Sequence, residues 1–188
     1  INKYNFTQIP ESNLSFLLVS RLLGEKGLGE YAEAARIVKE KFQEVEFKIV
    51  GTQDNSLDAI SIEEVKSWSE YVDYEGPTSD VRPYIKKCHV YVLPSYHEGL
   101  PRSTLEAMSM GRPILTTNAS GCKETVDENM NGFLVPIGSS KELAKRMIWF
   151  VKNKHEIKSM GEQSRKIVEK RFDVRKVNQE MLKILEIN

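Results

Sequence analysis

Apolar residues fall in short runs separated by longer amphipathic stretches. Phe16-Leu17-Leu18-Val19 and Val90-Tyr91-Val92-Leu93 are continuous apolar runs, the pattern of strands buried on both faces. Val45 to Val50, Val72 to Tyr74, Pro113-Ile114-Leu115-Thr116 and Phe133-Leu134-Val135 complete about six expected strands. Between them the period becomes helical. Tyr31, Ala35, Val38 and Phe42 share one face of a helix from about Gly29 to Phe42. Ser61-Ile62-Glu63-Glu64 is a capping box, opening a helix that carries Val65 and Trp68 inward. Asp80 can cap a short helix holding Pro83 in its first turn, where a missing N–H is harmless. A helix from about Ser103 to Met110 stops at Gly111, a residue suited to a left-handed C-cap. A short helix near 123–126 precedes the Asn131-Gly132 turn. Helical stretches near 140–153, 155–171 and 174–185 finish the chain, the last with Val174, Val177, Met181 and Ile184 in one apolar stripe. Strict alternation of strand and helix predicts an α/β fold, a Rossmann-like parallel sheet with helices on both faces. Residues 1–13 are polar, include Pro10 and read as a linker, leaving 14–188 as one domain.

Composition narrows the class. With 188 residues, 40% hydrophobic and 29% charged, the chain suits one soluble domain with a sizeable core, not a disordered or collagen-like polymer. Its 27 Lys+Arg balance 27 Asp+Glu, which argues against a nucleic-acid binder working through bulk positive charge. The balance is uneven along the chain: residues 141–188 hold 13 basic and 7 acidic side chains. A solvated helical face and a basic surface beside an anionic membrane both fit that excess. No apolar run approaches the length of a membrane span, and no secretory signal opens the sequence. The start at Ile1 is expected of a fragment or a processed form. Cys88 and Cys122 lie far apart with no CxxC motif, so neither a zinc site nor a disulfide framework is expected and a reducing compartment is the simpler reading.

In open parallel sheets, ligands gather outside the carboxyl ends of the strands. The loop after the first strand reads Ser20-Arg21-Leu22-Leu23-Gly24-Glu25-Lys26-Gly27. Arg21 supplies a planar fork and Lys26 a mobile point charge, a pair that could grip a diphosphate; they could equally be solvated cations paired with Glu25 or Glu30. Its glycines do not form the dinucleotide fingerprint, and no P-loop occurs, which weakens a dehydrogenase or ATPase reading. The richest segment, Ser95 to Met108, follows the strand ending at Leu93 and turns into a helix. The N–H groups of Ser103, Thr104 and Leu105 are expected at that helix start, where the dipole favours an anion. Glu106, in the same helix, could accept bonds from two adjacent hydroxyls such as ribose presents, or could merely stabilise its own helix. Glu98 lies in the loop, where a sugar could rest or solvent could reach it. His97 is the nearest histidine, but neighbouring loop side chains often point apart, so a catalytic role is not assigned to it. His89 and His155 are read as structural.

Taken together, SRLLGEKG, EGLPRSTLEAM, MGRPILTT and NGFLVP resemble the donor-binding domain of family 4 glycosyltransferases with the GT-B fold. The likeness runs from about Ser15 to the end of the chain, and GCKETV and NGFLVP are most similar to bacterial enzymes that build surface polysaccharides. The resemblance implies that Arg21 and Lys26 bind the donor diphosphate, with Thr104 and Leu105 at the β-phosphate. It implies that Glu98, Gly99, Leu100 and Pro101 surround the donor sugar, that Glu106 binds ribose, and that Gly76 to Asp80, with Thr78 and Asp80 foremost, borders the nucleobase. Arg21, Lys26 and Glu98 are then the expected catalytic groups. It also implies a preceding acceptor domain, absent here, against which the closing helix would pack.

The activity so implied is transfer of a sugar, with retention of configuration, from a nucleoside diphosphate sugar to a cell-surface glycan or lipid-linked saccharide. UDP is the expected nucleotide by analogy with the family. No DxD motif occurs, Asp73-Tyr74-Glu75 being the nearest, so no metal or other cofactor is expected. The expected location is the cytoplasm, with peripheral association at the membrane face. Two other readings stand beside this one: a nucleotide-sugar epimerase of the same fold, and a module that binds a nucleotide or glycan without turnover.

Overall fold

The computed structural model describes residues 4–173. Six strands form one all-parallel sheet: β1 (Ser15–Val19), β2 (Glu46–Val50), β3 (Asp73–Tyr74), β4 (Val90–Leu93), β5 (Ile114–Thr117) and β6 (Gly132–Val135). Their order is β3-β2-β1-β4-β5-β6. β1 aligns Phe16 with Phe47 of β2 on one side and with Val90 of β4 on the other. The helices are α1 (Leu28–Lys39), α2 (Ile62–Ser67), α3 (Arg82–Lys87), α4 (Arg102–Ser109), α5 (Ser140–Lys152) and α6 (Glu156–Arg171). The expected α/β sheet is therefore present. The stripe expected near 174–185 lies outside the described residues.

Side-chain alternation along the central strands builds two cores. Phe16 and Leu18 of β1, with Val90 and Val92 of β4, face α1, α2 and α5. Leu17 and Val19, with Tyr91 and Leu93, face α3, α4 and α6. Because both faces are covered, these strands must be apolar throughout, which is why they read as unbroken runs. Phe16 stacks on Phe47 with ring centroids 5.2 Å apart, and Phe150 of α5 meets Phe16 edge-on at 6.4 Å. The Ser61 cap is formed, its hydroxyl accepting from the Glu64 N–H at 3.0 Å.

Three local details differ from the expectation. α3 begins one residue later than the Asp80 cap would place it: Val81 is the N-cap, and Asp80 Oδ1 accepts from the Arg82 N–H. α4 begins at Arg102 rather than Ser103, because Pro101 takes the extended conformation of an N-cap. Residues 4–10 of the expected linker are tied across the domain. The Thr7 N–H donates to the Met110 carbonyl, and Phe6 lies against Gly111.

Arg112 makes that attachment. Its guanidinium is fully buried and makes seven hydrogen bonds, six of them to main-chain carbonyls. Ile85 and Lys86 supply carbonyls from the last turn of α3, Met110 from the end of α4, and Thr7 and Gln8 from the N-terminal segment. The negative ends of two helices thus converge on one cation. Cys88, beside it, is buried and free, as is Cys122. Burial pushes the Cys88 thiol up to about 11, so it behaves as a small core residue.

Candidate functional site

The strand order reverses direction between β1 and β4, so the chain leaves their carboxyl ends toward opposite sides. That opens a crevice between the loop after β1 and the loop after β4. A cleft of about 600 Å³ lies there. Ser20, Arg21 and Lys26 line it from the first loop. Glu98, Leu100 and Pro101 line it from the second, with Arg102, Ser103 and Glu106 from the start of α4.

Arg21 is 63% exposed and donates to Asp54 Oδ2 at 2.7 Å. Asp54 is held ionised by hydrogen bonds from Ser56, backbone first, and by Arg21, which together lower its pKa. Lys26 ends a short 3₁₀ turn, Gly24–Lys26, and its side chain is only 12% exposed. Its ammonium meets Glu98 Oε1 at 3.0 Å and Glu25 Oε1 at 3.1 Å. Burial alone would lower the Lys26 pKa; the two carboxylates outweigh it, and the net shift is upward. Lys26 is therefore a permanent cation joined to a carboxylate that is itself 17% exposed. Gly27 turns the chain into α1 at φ 73°, directly under the Pro94 carbonyl, where a Cβ has no room.

Two further loops brace this arrangement. Asp58 accepts the Glu25 N–H at 2.7 Å, and its carbonyl accepts the Gly24 N–H at 2.9 Å. The loop after β5 backs the β4 loop: the Ser120 carbonyl accepts the Glu98 N–H, and a Cβ on Gly121 would strike the carbonyl oxygens of Glu98 and Gly99.

At α4 the free donors lie one residue earlier than expected. The Leu105 N–H is taken by the Pro101 carbonyl at 3.2 Å, so Leu105 is not an open donor. The N–H groups of Arg102, Ser103 and Thr104 have no hydrogen-bond partner among the described residues, as the first turn of a helix dictates. The Thr104 hydroxyl is buried and likewise unpartnered. Tyr91 fixes the helix start, donating to Ser103 Oγ at 2.7 Å and approaching the Val19 carbonyl at 3.1 Å. Glu106 faces the cleft and receives a hydrogen bond from Tyr4 Oη at 2.7 Å.

Thr78 and Asp80 form a tight turn, with Asp80 paired to Arg82, and neither lines the cleft. Asp80 and Arg82 both act on the charge of the Tyr4 phenol, the donor to Glu106. Gly99 has open space where a Cβ would lie, and Leu100 is an exposed apolar residue at the cleft. Sequence reasoning missed Tyr4, Tyr91 and Arg102. Arg102 alone had a visible signal, its place beside Pro101 at a helix start. Among the described residues no group of three or more His, Cys, Asp or Glu could hold a metal ion.

A parallel sheet whose switch-point crevice is lined by cations, open helix N–H groups and two carboxylates belongs to the α/β class that takes anionic ligands at its strand ends. The chain belongs to the family described as glycosyl transferases group 1, whose model matches residues 2–167. It is 33% identical over 131 residues to the N,N'-diacetylbacillosaminyl-diphospho-undecaprenol alpha-1,3-N-acetylgalactosaminyltransferase of Campylobacter jejuni, covering 70% of this chain and 34% of that protein. Among solved structures, Anabaena HepE in complex with UDP and glucose superposes with a TM-score of 0.80 at 24% identity, over 93% of this chain and 48% of that one. The C-terminal domain of the group 1 protein LpcC from Francisella tularensis superposes with a TM-score of 0.78 at 18% identity, over 92% and 97% of the two chains. These structural likenesses establish the shared fold. The chain spans between about a fifth and a half of the length of the curated relatives it matches.

Proposed function

We propose that this chain is the donor-binding half of a retaining GT-B glycosyltransferase, taking a UDP-linked sugar and serving transfer to a cell-surface glycan or lipid-linked saccharide. One observation carries the reading: Arg21 and Lys26 face the open N–H groups of α4 across a single cleft, with Glu98 and Glu106 on the same wall. Breaking the bond between anomeric carbon and phosphate leaves negative charge on the diphosphate. Two fixed cations, with the N–H groups of Ser103 and Thr104, are preorganised for that charge. Glu98 would hold sugar hydroxyls and Glu106 the ribose. In that pose the cations do what a metal does elsewhere, so turnover should survive excess EDTA. Similarity to HepE, seen with UDP and glucose, supports the uridine donor. Similarity to a transferase named for a diphospho-undecaprenol substrate supports a lipid-linked acceptor, reached through a companion domain at the membrane face. The basic excess in 141–188 suits such a surface.

A thermal-shift screen of the full-length protein over UDP-, GDP- and ADP-sugars tests the donor, because a ligand bound to the native state raises its melting temperature. Product analysis then separates transfer from epimerisation, which needs no acceptor. Glu106→Ala should weaken binding of the free diphosphate by about 1.5–3 kcal/mol, the worth of a hydrogen bond to a charged group. Glu98→Ala should spare the free nucleotide and weaken the nucleotide sugar. Equal losses for both ligands in both variants would refute the assignment.

A further inference from the structure

Tyr4 lies 102 residues from Glu106 in sequence, in a segment that carries no motif. Its hydroxyl nevertheless donates at 2.7 Å to Oε1 of Glu106, a residue that lines the cleft. We propose that Tyr4 is a positioning residue of the donor site, holding the Glu106 carboxylate in the plane and rotamer in which it receives ribose hydroxyls. This rests on reading Glu106 as the ribose-binding group.

A glutamate carboxyl turns freely about its last torsion, and its accepting directions lie in its own plane. A bond from a fixed donor to one oxygen removes that freedom. It leaves the second oxygen, and a lone pair of the first, for a vicinal diol. Tyr4 is such a fixed donor. Arg165 of α6 donates to the Tyr4 carbonyl at 2.9 Å and also to the Ser109 carbonyl, which ties Tyr4 to the helix that carries Glu106. Three residues on, Arg112 holds the Thr7 carbonyl at 2.9 Å and the Thr7 hydroxyl at 2.8 Å. Burial, and then the bond to Glu106, push the phenol up to about 12, so it stays protonated and donating across the neutral range. Asp80, from the loop after β3, and Arg82, the first residue of α3, reach the same phenol electrostatically. The ribose end of the cleft is thereby organised by a residue from outside the strand-end loops.

The test compares two ligands on the full-length protein. UDP carries the ribose hydroxyls; 2′,3′-dideoxyuridine diphosphate lacks them. The GDP or ADP pair replaces them if the donor screen ranks that base first. Wild-type protein should prefer UDP, and Tyr4→Phe should cut that preference by about fivefold, the effect of one ordinary hydrogen bond. The unliganded melting temperature should stay within a few degrees of wild type. In a Glu106→Ala background, which has no acceptor left for the phenol, Tyr4→Phe should change the preference no further. A Tyr4→Phe protein that keeps the wild-type preference, or that loses both ligands equally, overturns the positioning role and leaves the Glu106 reading intact. A wild-type protein with no preference between the two ligands removes the ribose role of Glu106, and that of Tyr4 with it.

Discussion

At the scale of single residues, the cleft is already charge-compensated without a ligand. Lys26 is matched by Glu98 and Glu25, and Arg21 by Asp54. A diphosphate bound as proposed would therefore compete with carboxylates rather than fill a bare positive hole. Arg21, Lys26 and Glu98 stood out in the sequence because they sit in loops directly after strand ends, whereas nothing in the spacing pointed to Asp54. Tyr4 did not, because it stands in a polar segment that reads as a linker, and Tyr91 did not, because a tyrosine inside an apolar run looks like any other core residue. His89 was read as structural, and it has a pH signature. Its Nδ1 accepts the Ser15 N–H at 3.1 Å, and burial lowers its pKa below the ordinary 6.5. The unfolded chain takes up the proton first, so the stability held above pH 6.5 declines as pH falls through the lower folded value. Melting curves between pH 7.5 and 5 should show that decline, and a His89→Gln protein should show less of it.

At the scale of elements, the boundaries carried the surprises. Apolar runs, helical periodicity and capping signals located every described α-helix and strand to within a few residues, since burial on a sheet face imposes the pattern, but the 3₁₀ turn Gly24–Lys26 reads as plain loop. The pattern could not locate the start of α4, which depends on the backbone of Pro101, and one residue there changes which N–H groups are open. Nor did it show that the loop after β5 supports the loop after β4, because close main-chain contact leaves little trace except a glycine. Gly121 is that trace, at φ 78° against the carbonyls of Glu98 and Gly99. Gly121→Ala should push the Glu98 loop away from the cleft. Affinity for the nucleotide sugar should fall about tenfold or more, while free UDP, which the proposed pose leaves mainly to Arg21, Lys26 and α4, changes little. Calorimetry with both ligands decides it.

At the scale of the whole molecule, α4 is polarised. Its amino end opens on the cleft, and its carboxyl end points at the Arg112 guanidinium. Burying a cation with no carboxylate in salt-bridge reach among the described residues is tolerable only because carbonyl oxygens surround it. The sequence shows Arg112 as one more arginine before a proline, and nothing in its spacing reveals the burial. Arg112→Lys keeps the charge but cannot reach so many acceptors. It should lower stability by about 2–4 kcal/mol in denaturant unfolding, and protease should then nick the segment around residues 4–10 sooner. Since all but one of the oxygens that hold this guanidinium belong to peptide groups, the side chains at Gln8, Ile85 and Lys86 are left out of its keeping. Relatives can drift at those three positions without loosening the clasp, provided the main chain follows the same course.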